Sequence, residues 1–413
     1  MDLLLIITLL IAVSAFCSYI NVKVVKLPGA IGIITIAIVV SLIAILVDKL
    51  DPEGVHYLSV LAKEIHFHET VLNIMLGFLL FASSFNVNNK NLKKEARAVL
   101  VLSTVSVLAS AAIFGILFYG LALLFNLGVP LLYCFLFGAL ISPTDPVAVS
   151  AVIKTSKIPA NLATIISGES LFNDGVGLVL FITLLEIIDS GLEHMTFAKT
   201  FLLFAREVLG GGALGLILGL IAFRLMRSIN DFQTIVLVSL SLVLSISVIG
   251  LYLHLSVPLA VVSAGLFAGN YTINASESER SHEALGRFWH LIDEMLNTVL
   301  FVMIGLQMIN LPFLTNYWLM GAVAVVITLF ARWISILLPL TLLCRKLRIN
   351  FSSMNILTWA GLRGGISIAL ALSLPDSPYR DLILSASYFI VIFSIVVQGL
   401  TLNKVSSMLL KPQ

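Results

Sequence analysis

Thirteen apolar runs, each bounded by charges, prolines or glycines, fill most of this chain. They lie at about 3–20, 28–47, 71–86, 97–125, 130–153, 159–188, 198–227, 232–253, 257–270, 287–309, 317–344, 353–374 and 380–409. A run of about 20 apolar residues matches the hydrocarbon thickness of a bilayer, where each backbone amide has to be paired within its own segment. Helices meet that demand, and the runs lack the alternation that a membrane barrel needs. Composition agrees: 59% of the residues are hydrophobic and 11% charged, against roughly 25% charged in soluble domains. The chain reads as an all-α membrane protein of about 13 transmembrane helices embedded in a lipid bilayer, with no soluble domain. A net charge of only +2 suggests no nucleic-acid partner. The opening Met1-Asp2 lacks a basic region, so the first run is expected to be a retained span and not a cleaved signal.

Charge asymmetry orients the spans. With the N-terminus outside, seventeen of the 24 Lys and Arg residues fall on the inner side, among them Lys90, Lys93, Lys94, Lys154, Lys157, Arg224, Arg348 and Lys411. Lys49, Lys63, Lys199, Arg206 and Arg380 fall on the outer side, and Arg332 and Arg363 lie within spans. The positive-inside rule then puts the C-terminus in the cytoplasm, and the expected location is the plasma membrane. An internal repeat is also visible. Helix 2 opens Leu27-Pro28-Gly29-Ala30-Ile31 and helix 9 opens Val257-Pro258-Leu259-Ala260-Val261; helix 5 breaks at Pro143 to Pro146, and helix 12 at Gly361-Leu362-Arg363-Gly364-Gly365. Each pair is seven helices apart, and an odd offset reverses the direction of crossing. Residues about 3–188 and 232–409 are therefore expected to form two inverted six-helix repeats joined by a linker helix at about 198–227, with helices 5 and 12 partly unwound and crossed. Paired interruptions of this kind point to a transporter site. Gly210-Gly211-Gly212, Gly215 and Gly219 on the linker helix read as a close-packing face.

Two short stretches carry the chemistry: Ser142-Pro143-Thr144-Asp145-Pro146, and Gly168-Glu169-Ser170-Leu171-Phe172-Asn173-Asp174-Gly175. They hold three carboxylates in apolar surroundings, where each charge costs roughly 2.5–3.5 kcal/mol. The prolines break helix 5, which frees carbonyl oxygens at mid-membrane. Ser170 and Asp174 are four apart and share a helical face, as do Glu169 and Asn173. One face thus offers a hydroxyl and a carboxylate, hard oxygen ligands suited to a small cation. Arg363, set among glycines, is expected to offset charge where the two broken helices cross. Arg332 needs a buried acid, for which Glu169 is the candidate because Asp174 has to stay free to titrate; a cation–π contact with Trp333 is the alternative. Asp293 and Glu294 read as interfacial. Glu64, His66, His68 and Glu69 read as a solvated or pH-sensitive outer patch, and Cys17, Cys134 and Cys344 as small hydrophobes.

On these motifs the chain resembles the NhaP/NHE-type monovalent cation–proton antiporters (the cation:proton antiporter-1 family) over nearly its whole length. The Ser142–Pro146 stretch is similar to the family's unwound-helix motif, and the Gly168–Gly175 stretch to its Asn-Asp signature. The resemblance implies a six-helix core moving against a dimerisation domain, a homodimer, no cofactor and no enzymatic activity. It also implies a Na+ site formed by Asp174, Ser170, Asp145 and the backbone carbonyl of Thr144, and pairing of Arg332 with Glu169. Asn173 stands where electroneutral members carry asparagine. The sequence departs from the family at Leu80-Phe81-Ala82-Ser83-Ser84, where some members have a glutamate; Ser83 or Ser84 offers at most weak help. The expected activity is exchange of Na+, or alternatively K+ or Li+, for H+ by alternating access. A cation channel or an intramembrane aspartyl hydrolase using Asp145 and Asp174 is the rival reading.

Overall fold

The computed structural model describes residues 3–48, 67–145, 149, 153, 156, 158–191, 197–270, 278–310, 317–347 and 350–410. Thirteen helical segments can be followed among them. α1 (Leu3–Ile20) runs on into a π-helical turn (Asn21–Val25), and α2 is Gly29–Asp48. α3 covers Phe67–Phe85 and α4 Asn89–Leu124, both containing π turns. α5 (Leu131–Ile141) stops early, whereas α6 (Ala160–Ser190) is continuous. Next come α7 (Phe197–Arg227), α8 (Phe232–Tyr252), α9 (Val257–Asn270), α10 (Ser278–Gln307) and α11 (Trp318–Leu347). The twelfth segment is two pieces, α12a (Phe351–Trp359) and α12b (Gly365–Leu372), and α13 is Arg380–Leu409 with an internal π turn at Phe393–Gln398. Nine of these helices are long and apolar enough to cross a membrane, and α2, α5 and α9 are shorter apolar ones.

Two helices start well before the apolar runs that reveal them. α4 begins at Asn89 instead of about residue 97, because the Asn88 side chain accepts from the amides of Lys90 (3.0 Å) and Asn91 (3.3 Å) and caps a polar first turn. α10 begins at Ser278 instead of about residue 287. Both extensions carry charged residues, which an apolar-run criterion passes over.

The glycine face of α7 meets α9. A methyl group at Gly215 would strike the Ala260 carbonyl oxygen, one at Gly211 would lie 2.5 Å from the Ser256 carbonyl oxygen, and one at Gly219 3.1 Å from the Ala264 Cα. Buried apolar side chains form two clusters, and α6 contributes to both: Leu162, Ile165 and Ile166 to the larger, Leu171 to the smaller, which otherwise draws on α3 and α7–α10. Pro146, Glu64, His66, Lys49, Lys63, Lys154, Lys157, Arg348 and Lys411 lie outside the described residues.

Candidate functional site

α5 ends at Ile141; Ser142 N closes it with a bond to Gly138 O (3.0 Å), and Pro143 to Asp145 continue outside the helix. Pro143 has no amide to donate and its ring cannot sit inside the helix; it packs instead against Gly177 of α6. The chain here is held by side chains of α6. Thr144 N donates to Asn173 Oδ1 (3.3 Å), Asn173 Nδ2 donates to Thr144 Oγ1 (2.7 Å), and Thr144 Oγ1 lies 2.9 Å from Ser170 Oγ. Asn173 therefore spends its donor and its acceptor on one residue of the break.

The second break faces the first. Asp145 N donates to Leu362 O (2.7 Å), a backbone bond joining the two interrupted helices. Arg363 Nη1 donates to the carbonyl oxygens of Ser142 and Pro143, the latter at 2.9 Å. The Asp145 side chain lies against Gly364, where a methyl group would collide with its carboxylate. α13 holds this second break: Arg363 N donates to Ser394 Oγ (2.8 Å) and Gln398 Nε2 to Trp359 O (3.1 Å).

Glu169 and Arg332 form a paired contact, Nη1 to Oε1 at 2.6 Å and Nη2 to Oε2 at 2.8 Å, with both side chains almost completely buried. Trp333, on the other side of its helix, donates through Nε1 to Asn355 Oδ1 (3.2 Å). One hydrogen bond and one close ion contact leave the guanidinium charge locally balanced.

Asp174 is 2% exposed, one turn after Ser170 on the same face of α6. Its Oδ2 is buried with no hydrogen-bond partner among the described residues, and Asp145 lies near enough to repel it. A buried carboxylate oxygen without a donor is costly unless a proton or a cation neutralises it. Ser170 lies one helical turn before it, with its Oγ 2.9 Å from Thr144 Oγ1, and hydroxyl and carboxylate oxygens suit a hard monovalent cation.

A cavity of about 310 Å³ leads toward this cluster, lined by Ser83, Asn86, Thr164, Ser167, Leu171, His290 and Asp293 among others. Its lining includes Leu171, about one turn of α6 before Asp174. Thr164, Ser167, Ser170 and Asp174 recur at spacings of three and four, a polar stripe along one face; that periodicity is the signal that would have found the cavity wall. Asp293, read from sequence as interfacial, lines this cavity. Glu294, beside it, is exposed. Ser83 is in the cavity wall, whereas Ser84 Oγ donates to Phe81 O (3.0 Å) and packs on Gly265; neither joins the Asp174 cluster. His68 and Glu69 are 4.0 Å apart on the surface at the start of α3.

The family model described as "Sodium/hydrogen exchanger, transmembrane" matches residues 11–407. The chain is 40% identical over 405 residues to the Na+/H+ antiporter NhaP of Pseudomonas aeruginosa, covering 95% of this chain and 94% of that one. It is 32% identical over 413 residues to the Na+/H+ antiporter NhaH of Halobacillus aidingensis, covering 98% and 97%. Among solved structures, the sodium proton antiporter MjNhaP1 of Methanocaldococcus jannaschii at pH 8 superposes with a TM-score of 0.81 at 20% identity, covering all of both chains, which establishes the likeness of fold.

Proposed function

The chain belongs to the sodium/hydrogen exchanger family, and on that premise we propose that it exchanges one monovalent cation, Na+ above all, for one proton across the bilayer by alternating access. The carrying observation is the buried Asp174 Oδ2 without a hydrogen-bond partner among the described residues, one helical turn from Ser170, whose Oγ lies 2.9 Å from Thr144 Oγ1. Burial disfavours the bare carboxylate, and either a proton or a cation relieves that cost. The two compete for one group, so loading with one expels the other. Asp174 is the titrating acid, with Ser170, the Thr144 carbonyl and Asp145 as further cation ligands, in part through water. Asn173 holds the unwound chain in register, Arg363 offsets charge at the crossing, and the Glu169–Arg332 pair is structural.

The protein is a multi-pass membrane protein. The plasma membrane is its proposed location, with the N-terminus outside and the C-terminus in the cytoplasm, a reading supported by the charge asymmetry of the loops. The cavity beside Asn86 and Asn88 would then open to the cytoplasm. A core of α4–α6 and α11–α13 is proposed to move against the remaining helices within two inverted repeats, and α6 contributes side chains to both apolar clusters. A homodimer is the proposed assembly; α1 and α7 carry outward apolar side chains such as Ile11, Phe16, Leu202 and Leu209 that suit lipid or a second copy.

The test is ion-driven proton flux in proteoliposomes carrying an internal pH dye, with Na+, K+ and Li+ added in turn. Na+ should drive saturable flux, and Asp174→Asn should abolish it while the variant elutes and melts like its parent. Substantial Na+-driven flux through Asp174→Asn would overturn the assignment, and flux driven by K+ alone would change the substrate.

A further inference from the structure

We propose that Ser394 and Gln398 of α13 are positioning residues for the exchange, holding the break of the twelfth helix so that Arg363 can order the carbonyl oxygens at the break of α5. The inference rests on the exchange reading above and extends it to a helix that supplies none of the proposed ion ligands and none of the cavity's lining residues.

An interrupted helix leaves amides and carbonyls unpaired, and inside a bilayer each needs a partner. At the first break α6 supplies one through Asn173 Oδ1, which accepts from Thr144 N, and holds the Thr144 side chain through Ser170 and Asn173 Nδ2. At the second break the two groups are Arg363 N and Trp359 O, and α13 supplies both through Ser394 Oγ and Gln398 Nε2. Ser394 is fully buried and Gln398 3% exposed. Both belong to the π-helical turn Phe393–Gln398. A π turn inserts one residue and re-aims side chains, and such turns gather at functional sites. Within the repeat α6 and α13 correspond, as do α5 and α12, and each half bears a hydroxyl and a carboxamide of its last helix on its broken helix, the first half's hydroxyl on the Thr144 side chain and the second half's on backbone.

The second clasp acts on the first site through one residue. Ser394 fixes the backbone of Arg363, and the guanidinium of Arg363 holds the carbonyl oxygens of Ser142 and Pro143. The next carbonyl is that of Thr144, a proposed cation ligand. Loosening the Arg363 backbone therefore moves a ligand oxygen and a positive charge together. Cation affinity responds to both, so the concentration of half-maximal flux should change while the fold stands.

Three variants test this in proteoliposomes, with melting temperature followed in parallel: Ser394→Ala, Gln398→Leu, and Thr401→Val as a control. Thr401 Oγ1 accepts from the Trp359 ring nitrogen at 3.0 Å, on the same face of α13, but touches no backbone group of the break. Ser394→Ala and Gln398→Leu should raise the KM for Na+ about fivefold each, the factor matching one lost hydrogen bond, and shift the pH profile of exchange. Thr401→Val should leave KM and pH profile at the parent values. Parent KM and pH profile in both Ser394→Ala and Gln398→Leu, with or without a lower melting temperature, would overturn the proposal and leave these side chains a purely structural role. An equal rise of KM in Thr401→Val would also overturn it, since general loosening of α13 would then suffice. A parent protein giving no Na+-driven flux would fail the exchange reading itself, and that is seen before any variant is made.

Discussion

Glu169 and Arg332 illustrate how residues with formal charge divide their labour in a medium that penalises charge. Each of them has an opposite charge within 2.6–2.8 Å, whereas Asp174, five residues along the same helix, has a buried carboxylate oxygen with no hydrogen-bond partner among the described residues. Glu169→Ala would leave a buried guanidinium unpaired, a loss of about 3–5 kcal/mol, so yield and melting temperature in detergent should fall steeply. Unchanged stability together with the activity loss of Asp174→Asn would instead make Glu169 part of the transport chemistry. Gly364→Ala probes the other acid. Its methyl group has to displace the Asp145 carboxylate, so Na+ affinity should drop at least severalfold. Na+ titration of proton flux reads this, and an unchanged half-maximal concentration would remove Asp145 from the ligand set. Sequence alone exposes the pairing of Ser170 with Asp174, because the helical period puts them on one face. The clasp between Thr144 and Asn173 is beyond it: the two are 29 residues apart, and their contact depends on how the chain leaves the helix at Pro143. Ser394 and Gln398 are hidden more deeply, in a run that reads as unbroken apolar helix and whose π turn has no composition of its own.

Helices show a similar division between what periodicity reveals and what it hides. The apolar runs mark the membrane-buried part of each helix and stop where polar turns begin, which is why the first turns of α4 and α10 are invisible to them. The glycines of α7 are legible as a packing face, but not the partner, since small residues state only that something comes near. That partner is α9, whose backbone approaches so closely that a single methyl group at Gly215 meets a carbonyl oxygen. Gly215→Ala should therefore destabilise, as overpacking does, by about 1–3 kcal/mol, despite the better helix propensity of alanine. A melting temperature equal to or above that of the parent would contradict this packing. At the start of α8, hydrogen bonds from the hydroxyl and amide of Thr234 hold the Asp231 carboxyl below its usual range. A depressed native value means that the ionised form is the one folding favours. The contribution is complete above the usual carboxylate range and fades as the pH falls through the lower native value. Asp231→Ala should lower the melting temperature at neutral pH, with the gap to the parent closing below about pH 4.

At the scale of the molecule the buried charges decide what can cross. Among the described residues the buried charged side chains are Asp145, Glu169, Asp174, Arg332 and Arg363. Three carboxylates face two guanidiniums, and arginine stays protonated even when buried, so the unloaded core carries one net negative charge. One Na+ cancels it, and so does one proton. Either loaded form can then move through the low-dielectric interior without the penalty on a net charge, while the bare core cannot. The ledger excludes a two-proton cycle, in which the loaded core would carry a positive charge, and it follows from Asn173 standing where a further aspartate would add a negative one. Exchange should accordingly ignore voltage. In proteoliposomes clamped at about −100 mV, flux should balance where the Na+ and H+ gradients are equal, as it does at zero potential. A cycle exchanging two protons for one Na+ moves one net charge and would be displaced by about 2.3 kcal/mol, or about 0.85 pH unit at roughly 1.36 kcal/mol for each of its two protons. A displacement of that size would mean that another titrating group shares the core with Asp174, and the one-for-one cycle would fall with it.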